Sequence, residues 1–186
     1  MAKVVFIRHG EPDYTKVTAL GFKGHGRDLG QLTKAGIEQA HQVSKDPRLN
    51  GAEVLLSSPY TRALQTAAIL SKAIGLDIDV VTELHEWVPD LTYHYSDVEV
   101  VNRAAKALTA NKGECPDDFN PPYETLASVF VRAVNALKPY LHHEKIIVVC
   151  HGIVMRQFKF VLDLDYCGVL EVDMDEAFEW GGFVEN

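Results

Sequence analysis

The stretch Val4-Val5-Phe6-Ile7-Arg8-His9-Gly10-Glu11 places four apolar residues directly before an arginine, a histidine and a glycine. A continuous apolar, partly β-branched run of this kind is typical of a strand buried on both faces of a parallel sheet. A second run, Ile146-Ile147-Val148-Val149-Cys150, is followed by His151-Gly152, and a third, Val54-Leu55-Leu56, by Ser57-Ser58. These runs predict three parallel strands that each end in polar residues.

Helix signals lie between these strands. Thr33 carries the side chain of an N-cap, Ser58 with Pro59 predicts the start of another helix, and Gly75 predicts its end. Strands that alternate with helices predict an α/β fold, a three-layer sandwich with a mainly parallel central sheet and helices on both faces. The predicted helices cover residues 34–43, 59–74, 98–110, 123–141 and 153–162, and a fourth strand covers residues 78–81.

The segment from residue 87 to residue 122 interrupts this alternation. It contains Trp87, Tyr93 and Tyr95 and ends in a stretch with Gly113 and three prolines. The segment has too few apolar residues for a core of its own, and long insertions in compact domains are often lids or binding loops. We therefore interpret residues 1–186 as a single domain with a small cap insertion at approximately 87–122. A surface loop with incidental aromatic residues is the alternative.

The composition excludes several functional classes. The 186 residues include 18 Lys and Arg against 26 Asp and Glu, a net charge of −8. An acidic chain lacks the basic surface that nucleic acids or anionic membranes require, so neither is expected as a partner. No apolar run has the length of a membrane-spanning helix, and a cytoplasmic protein is predicted. The three cysteines lack C-x-x-C spacing, which argues against a disulfide framework or a cysteine-built zinc site.

Polar residues are predicted to meet at one edge of the sheet. In open α/β sheets, ligands bind at the carboxyl ends of the strands. Arg8, His9 and His151 follow two of the predicted strands, and the glycine after each histidine leaves room for backbone amides to approach an anion. Arg62 lies near the start of its helix, where the helix dipole disfavours a cation unless an anion binds there. The sequence therefore predicts a phosphate site that also includes Gly152.

Two histidines beside two arginines fit phosphoryl transfer. A neutral histidine can attack phosphorus as a nucleophile, while arginines and a second imidazole hold the charge on the phosphoryl oxygens. A zinc site is the competing use of two histidines. It is the weaker interpretation, because the arginines would repel a metal cation and the usual H-x-x-x-H spacing does not occur here.

Five ordered motifs extend this pattern along most of the chain. They are Arg8-His9-Gly10-Glu11, Leu32-Thr33-x-x-Gly36-x-x-Gln39-Ala40, Ser57-Ser58-Pro59-x-x-Arg62-Ala63-x-Gln65-Thr66-Ala67, Leu84-x-Glu86 and Val149-Cys150-His151-Gly152. Together they resemble the histidine phosphatase superfamily, which is also called phosphoglycerate mutase-like. An Arg-His-Gly tripeptide alone would be weak evidence, whereas five motifs with the family spacing are strong.

The resemblance implies a role for each matching residue. His9 matches the histidine that becomes phosphorylated, and Arg8, Arg62 and His151 match the groups that hold the phosphoryl oxygens. Glu86 matches the acid that protonates the leaving oxygen and later activates water, a role that requires a raised pKa. The resemblance implies neither a cofactor nor a metal.

Other positions depart from the family pattern or leave alternatives open. Glu83, three residues before Glu86, is the rival candidate for the acid. Thr15 or Thr18 replaces an asparagine that contacts phosphate in family members. The candidate contacts for the leaving group are Trp87, Tyr93 and Tyr95.

The pattern favours a metal-independent phosphomonoester hydrolase that acts through a phosphohistidine intermediate on a small phosphorylated metabolite. Phosphoglycerate mutase-type transfer and protein phosphohistidine phosphatase activity are the alternatives. A chain of this length is shorter than typical sugar-phosphate mutases, which favours the phosphatase. A non-catalytic phosphate-binding module has little support, because every residue of the predicted site is present. A homodimer is possible, since periodicity does not distinguish a dimer face from a core face.

Overall fold

The computed structural model describes residues 1–95 and 98–184, and it contains seven strands and six α-helices in that part of the chain. The strands are β1 (Ala2–Arg8), β2 (Pro12–Asp13), β3 (Gln31–Leu32), β4 (Val54–Ser57), β5 (Ile78–Val80), β6 (Lys145–Cys150) and β7 (Val169–Met174). The helices are α1 (Thr15–Ala19), α2 (Lys34–Val43), α3 (Thr61–Ile74), α4 (Val98–Ala110), α5 (Leu126–Leu137) and α6 (Gly152–Phe158).

Five strands form the central sheet in the order β5-β4-β6-β1-β7. The first four are parallel, and β7 joins the β1 edge in antiparallel orientation. The register pairs Arg8 with Cys150, and the backbone N–H of His9 donates to the Cys150 oxygen at 3.0 Å. His9 and His151 therefore follow neighbouring strand ends, although 142 residues separate them in sequence.

Helices cover both faces of the sheet. On one face, α4, α5 and α6 pack with Val4, Phe6 and Val148. On the other face, α2 and α3 pack with Val5 and Ile7. Successive residues of β1 are buried on opposite faces, which is why its apolar run does not alternate with polar residues. The predicted three-layer α/β sandwich is confirmed.

The loop after β1 is held by close backbone contacts. A Cβ added to Gly10 would lie 2.5 Å from the backbone oxygen of Gly36, so only glycine fits at this crossing. The N–H of Gly10 donates to Thr66 Oγ1 at 3.0 Å, and the N–H of Glu11 donates to Gln39 Oε1 at 2.9 Å. Three of the sequence motifs thus meet here and hold the backbone next to His9.

The predicted start of α3 is wrong. The helix begins at Thr61 with Tyr60 as its N-cap residue, so Ser58 is not the N-cap and Pro59 is not the first helical residue. The Ser58 hydroxyl lies 2.7 Å from His151 Nε2, and it also accepts a hydrogen bond from the Tyr60 N–H at 3.3 Å. The side chain that looks like a helix cap therefore contacts a histidine of the candidate site.

Some of the other predicted helix boundaries agree with the structure, and others differ from it. The Thr33 side chain caps α2, and Gly75, with φ of 74°, ends α3, as predicted. The helix predicted over 123–141 is shorter, because Thr125 is the N-cap of α5. The helix predicted over 153–162 ends at residue 158. Strand β7 was not predicted.

The predicted cap segment contains α4, and two of its residues, 96 and 97, lie outside the described part of the chain. Ala104 and Leu108 of α4 belong to the same buried cluster as Trp87 and Tyr123. The single domain with a cap insertion at approximately 87–122 stays a prediction. No helix within the described ranges is both long and apolar enough to cross a bilayer.

Candidate active site

A cavity of 350 Å³ lies at the carboxyl ends of β1 and β6. Four of the five residues with a predicted catalytic role line it, namely Arg8, His9, Arg62 and Glu86. His151 is fully buried beside His9, with the two ring centroids 5.2 Å apart. The other lining residues are Pro12, Tyr14, Arg27, Asp28, Tyr60, Trp87, Pro89, Tyr95, Val98, Val101, Ala105, Ile153 and Tyr166.

The hydrogen-bond pattern assigns one tautomer to His9. Its Nδ1 lies 2.7 Å from the backbone oxygen of Gly10, so Nδ1 carries the proton and donates. Nε2 keeps its lone pair and accepts a hydrogen bond from Arg62 Nε at 3.2 Å. The neutral imidazole with a free pair on Nε2 is the form that can act as a nucleophile.

Arg62 joins the two histidines. Its Nη2 lies 3.3 Å from His151 Nδ1, and its Nη1 forms an ion pair with Asp28 Oδ1 at 2.9 Å. The guanidinium also lies 4.9 Å from the centre of the Tyr60 ring. Because Arg62 is buried, the Asp28 carboxylate offsets part of the cost of a desolvated charge and fixes the orientation of the fork.

His151 takes the opposite tautomer from His9. Arg62 can only donate, so His151 Nδ1 is an acceptor and carries no proton. His151 Nε2 therefore holds the proton and donates to Ser58 Oγ at 2.7 Å. Arg62 thus determines which nitrogen of the second histidine is protonated, and the Ser58 hydroxyl accepts the hydrogen bond from that nitrogen.

Both imidazoles are neutral near pH 7. Burial lowers the pKa of His9 to about 3, and the positive charge of Arg62 acts in the same direction. Burial likewise lowers the pKa of His151 well below its usual value, again with a contribution from Arg62. His9 is therefore nucleophilic without prior removal of a proton.

The unfolding free energy is expected to fall by about 2 kcal/mol between pH 7 and pH 5 through His9 alone. Unfolded His9, with an ordinary pKa of 6.5, takes up a proton over this interval, whereas folded His9, with a pKa of about 3, does not. Stability is thus lost as the pH falls below about 6.5. Urea unfolding of the chain and of His9→Gln at both pH values measures the difference. An equal loss in the two proteins would show that folded His9 titrates normally.

Arg8 provides the second guanidinium of the cavity. Its Nη1 donates to the Leu164 oxygen at 2.5 Å, and its guanidinium lies 4.2 Å from the Tyr166 ring centre. Its Nε is buried and finds no acceptor among the described residues. A buried unpaired donor costs about 1–3 kcal/mol, so this N–H is suited to an anionic oxygen. A Cβ added to Gly152 would lie 3.6 Å from this Nε and 3.1 Å from Arg156 Nη1, so the glycine leaves room beside Arg8.

Of the two candidate acids, only Glu86 lines the cavity. Its Oε1 accepts a hydrogen bond from the Trp87 N–H at 2.9 Å. Burial raises the pKa of Glu86 above its usual value, which favours the protonated carboxyl that a general acid needs. Glu83 is exposed and lines a separate surface depression together with Arg132.

A buried ion pair holds the segment around the candidate acid. Arg132 Nε and Nη2 contact the two Glu124 oxygens at 2.6 and 3.0 Å, and Arg132 Nη1 donates to the His85 oxygen at 2.8 Å. Glu124 Oε2 accepts a hydrogen bond from the Val88 N–H at 3.1 Å. The Trp87 indole N–H donates to the backbone oxygen of Glu124 at 2.5 Å. The backbone is therefore fixed on both sides of residue 86.

The predicted substrate contacts are only partly placed in the cavity. Trp87 and Tyr95 line it. Thr15 and Thr18 are exposed and do not line it, because the neighbouring Tyr14 takes that place. Tyr93 is 43% exposed, lies outside the lining and packs on the ring of His25 at 4.6 Å. Thr15 and Tyr93 are therefore not among the residues that line this cavity, and their role as substrate contacts stays a prediction.

Several site residues were missed from the sequence. Asp28 lies in a 3-10 turn, where one acidic residue among many gives no signal. Ser58 was seen, but as a helix cap. The missed aromatic residues of the lining are Tyr14, Tyr60 and Tyr166.

The cavity contains more positive than negative side chains. Arg8, Arg27 and Arg62 line it, against Asp28 and Glu86. An anion in the cavity would therefore contact guanidinium groups and the His9 imidazole. Within residues 1–95 and 98–184, no group of three or more His, Cys, Asp or Glu side chains is arranged to hold a metal ion.

A doubly covered parallel sheet with two histidines and two arginines at its carboxyl edge defines a phosphoryl-transfer class of enzyme. The chain belongs to the histidine phosphatase superfamily, branch 1, whose family model matches residues 4–176. The members are phosphatases or mutases, and this chain is accordingly an enzyme of phosphoryl transfer.

Curated relatives include both kinds of enzyme. A probable phosphoglycerate mutase, GpmB, of Proteus mirabilis is 26% identical over 83% of this chain and 72% of its own length. An uncharacterized phosphatase, PhoE, of Bacillus subtilis is 26% identical over 82% of this chain and 72% of its own. The sequence similarity therefore does not separate hydrolysis from isomerisation.

Solved structures share the fold over nearly the whole chain. A mycobacterial glucosyl-3-phosphoglycerate phosphatase in complex with VO3 has a TM-score of 0.72 at 18% identity and covers 100% of this chain and 99% of its own. A phosphoserine phosphatase from Entamoeba histolytica in complex with 3-phosphoglyceric acid has a TM-score of 0.66 at 24% identity and covers 92% and 90%. These similarities establish the fold.

Proposed function

We propose that the chain is a metal-independent phosphomonoester hydrolase that acts on a small phosphorylated metabolite through a phosphohistidine at His9. The observation that carries the proposal is the neutral His9, whose Nε2 lone pair points at the guanidinium of Arg62. The nucleophilic nitrogen of His9 is in contact with the Arg62 cation, and this arrangement suits attack on an anionic phosphoryl group.

In the first step, the lone pair of His9 Nε2 forms a bond to phosphorus and the ester P–O bond breaks. The phosphoryl oxygens replace His9 Nε2 as the acceptor for Arg62, and Arg8 Nε donates to them as well. Glu86, whose pKa is raised by burial, gives its proton to the leaving oxygen. The products are an alcohol, a phosphohistidine and the Glu86 carboxylate.

In the second step, the Glu86 carboxylate takes a proton from water while the water oxygen bonds to phosphorus. The P–N bond breaks, and its electron pair returns to His9 Nε2. Inorganic phosphate leaves, and both His9 and Glu86 regain their starting protonation. Guanidiniums carry the charge stabilisation in both steps, so the reaction needs no metal.

Mutase activity is the second candidate, because a probable phosphoglycerate mutase is among the relatives. It requires the phosphohistidine to pass its phosphoryl group to a phosphoglycerate rather than to water. Phosphoglycerate isomerisation that is faster than phosphate release would favour it. Protein phosphohistidine phosphatase activity is addressed by the leaving-group experiment in the Discussion.

The proposal is tested by trapping the intermediate. The chain is incubated in EDTA with radiolabelled p-nitrophenyl phosphate and quenched after one turnover. We expect a protein-bound phosphate that is labile in acid and stable in alkali, as phosphoramidates are, together with steady release of p-nitrophenol. Turnover that is lost in EDTA, or a label that is stable in acid, would contradict a phosphohistidine mechanism.

A further inference from the structure

The position of Glu86 defines where a leaving group lies. In the proposed function Glu86 protonates the leaving oxygen, so the carbon skeleton attached to that oxygen extends along the wall beside it. Trp87 and Pro89 follow Glu86 in the chain and line the same cavity. The wall next to the acid is therefore apolar.

Helix α4 continues this apolar wall. Val98, Val101 and Ala105 line the cavity, and their spacing of three and four residues places them on one face of the helix. Ala104 and Leu108, on the neighbouring face, pack into the core and hold the helix in place. Ala105 also packs against this core, whereas Val98 and Val101 present apolar side chains to the cavity.

In the described part of the chain, none of the charged side chains that line the cavity belongs to α4. Arg8 and Arg62 serve the phosphoryl group, and Asp28 is paired with Arg62. A second anionic group on the part of the substrate that packs on Trp87, Pro89 and α4 would meet apolar side chains, and a desolvated unpaired carboxylate is costly. Arg27 is the remaining cation of the lining.

We infer that the physiological substrate is a phosphate monoester of an apolar, uncharged alcohol or phenol, whose carbon skeleton packs on Trp87, Pro89 and the cavity face of α4. This inference rests on the proposed function and narrows it. Val98 is 54% exposed, so the wall reaches the solvent and an extended apolar group fits as well as a compact one.

A matched pair of substrates tests the inference. 4-Ethylphenyl phosphate and 4-(carboxymethyl)phenyl phosphate release phenols of similar acidity and size, and they differ by one carboxylate. We expect kcat/KM to favour the ethyl compound by about tenfold or more. A preference for the carboxymethyl compound that disappears in Arg27→Gln would overturn the inference and assign a carboxylate site to Arg27.

Two valines provide a matched pair of variants. Val98 on the cavity face of α4 and Val131 on α5 are both 54% exposed, and Val131 does not line the cavity. Val98→Lys is expected to lower the ratio of kcat/KM for the ethyl compound to that for the carboxymethyl compound by about tenfold. The ammonium group disfavours contact with the ethyl group and attracts the carboxylate. Val131→Lys is expected to leave the ratio unchanged. An unchanged ratio in Val98→Lys would contradict the placement of the leaving group on α4.

Failure of the proposed function is distinguishable from failure of this inference. If phosphohistidine forms from both aryl phosphates but the carboxymethyl compound is preferred, only the substrate class is wrong. If neither compound yields phosphohistidine, the proposed function fails and the inference fails with it.

Discussion

His9→Ala is expected to lower kcat for every phosphate monoester by about 10⁴-fold or more. In the proposed mechanism the His9 imidazole is the group that bonds to phosphorus, and the other histidine beside Arg62, His151, is fully buried and does not line the cavity. Initial rates of p-nitrophenol release from p-nitrophenyl phosphate measure the effect.

His41→Ala is the control for this loss. His41 lies on α2, is exposed and does not line the cavity. Its variant is expected to retain the parent kcat. The unfolding transition and phosphate affinity of His9→Ala show whether the clamp of Arg8 and Arg62 survives. A folded variant that retains more than about one tenth of the turnover would assign the nucleophile to another group.

The buried strands and their histidines were predictable because their signal is strong and local. A strand buried on both faces has to be continuously apolar, and the polar residues that follow β1 and β6 stand at the edge where ligands bind. Arg62 was predictable for a different reason, since a cation near a helix start is unfavourable without an anion. The prediction that His9 and His151 lie close together came from the strands, because both residues follow carboxyl ends of parallel strands.

Strand β7 was missed although its pattern was visible. Leu170, Val172 and Met174 are buried and alternate with more exposed residues, as expected for an antiparallel edge strand. Continuous apolar runs indicate central parallel strands, but an antiparallel edge strand does not contain such a run. The fold class did not depend on it, because β7 only extends the β1 edge.

Long-range polar pairs could not be predicted. Asp28 meets Arg62 across 34 residues, and Arg132 reaches back 47 residues to the His85 oxygen. No spacing rule links such residues, because the fold alone brings them together. The predicted start of α3 is wrong for a related reason. The role of Ser58 as a cap was inferred from local sequence only, whereas its hydroxyl forms a hydrogen bond with His151.

Glu86→Gln is expected to lower the rate constant of phosphohistidine formation by about 10³-fold for an alkyl phosphate and by less than about tenfold for p-nitrophenyl phosphate. The alkoxide is a poor leaving group and needs a proton from Glu86, whose pKa is raised by burial, whereas p-nitrophenolate leaves without it. Rapid-quench rates of phosphohistidine formation from the two substrates isolate this step from hydrolysis of the intermediate.

Glu83→Gln makes the same chemical change three residues away. Arg132 contacts the backbone oxygen of Glu83, which the variant retains, so the rates for both substrates are expected to match the parent. An equal loss for alkyl and aryl phosphates in Glu86→Gln would indicate a role in binding rather than in proton transfer.

If the chain is a protein phosphohistidine phosphatase, Glu86→Gln is expected to keep its activity on phosphohistidine. The leaving nitrogen departs as a neutral imidazole and therefore needs little help from an acid. The dependence on leaving group therefore tests the acid and separates the two phosphatase alternatives in one experiment.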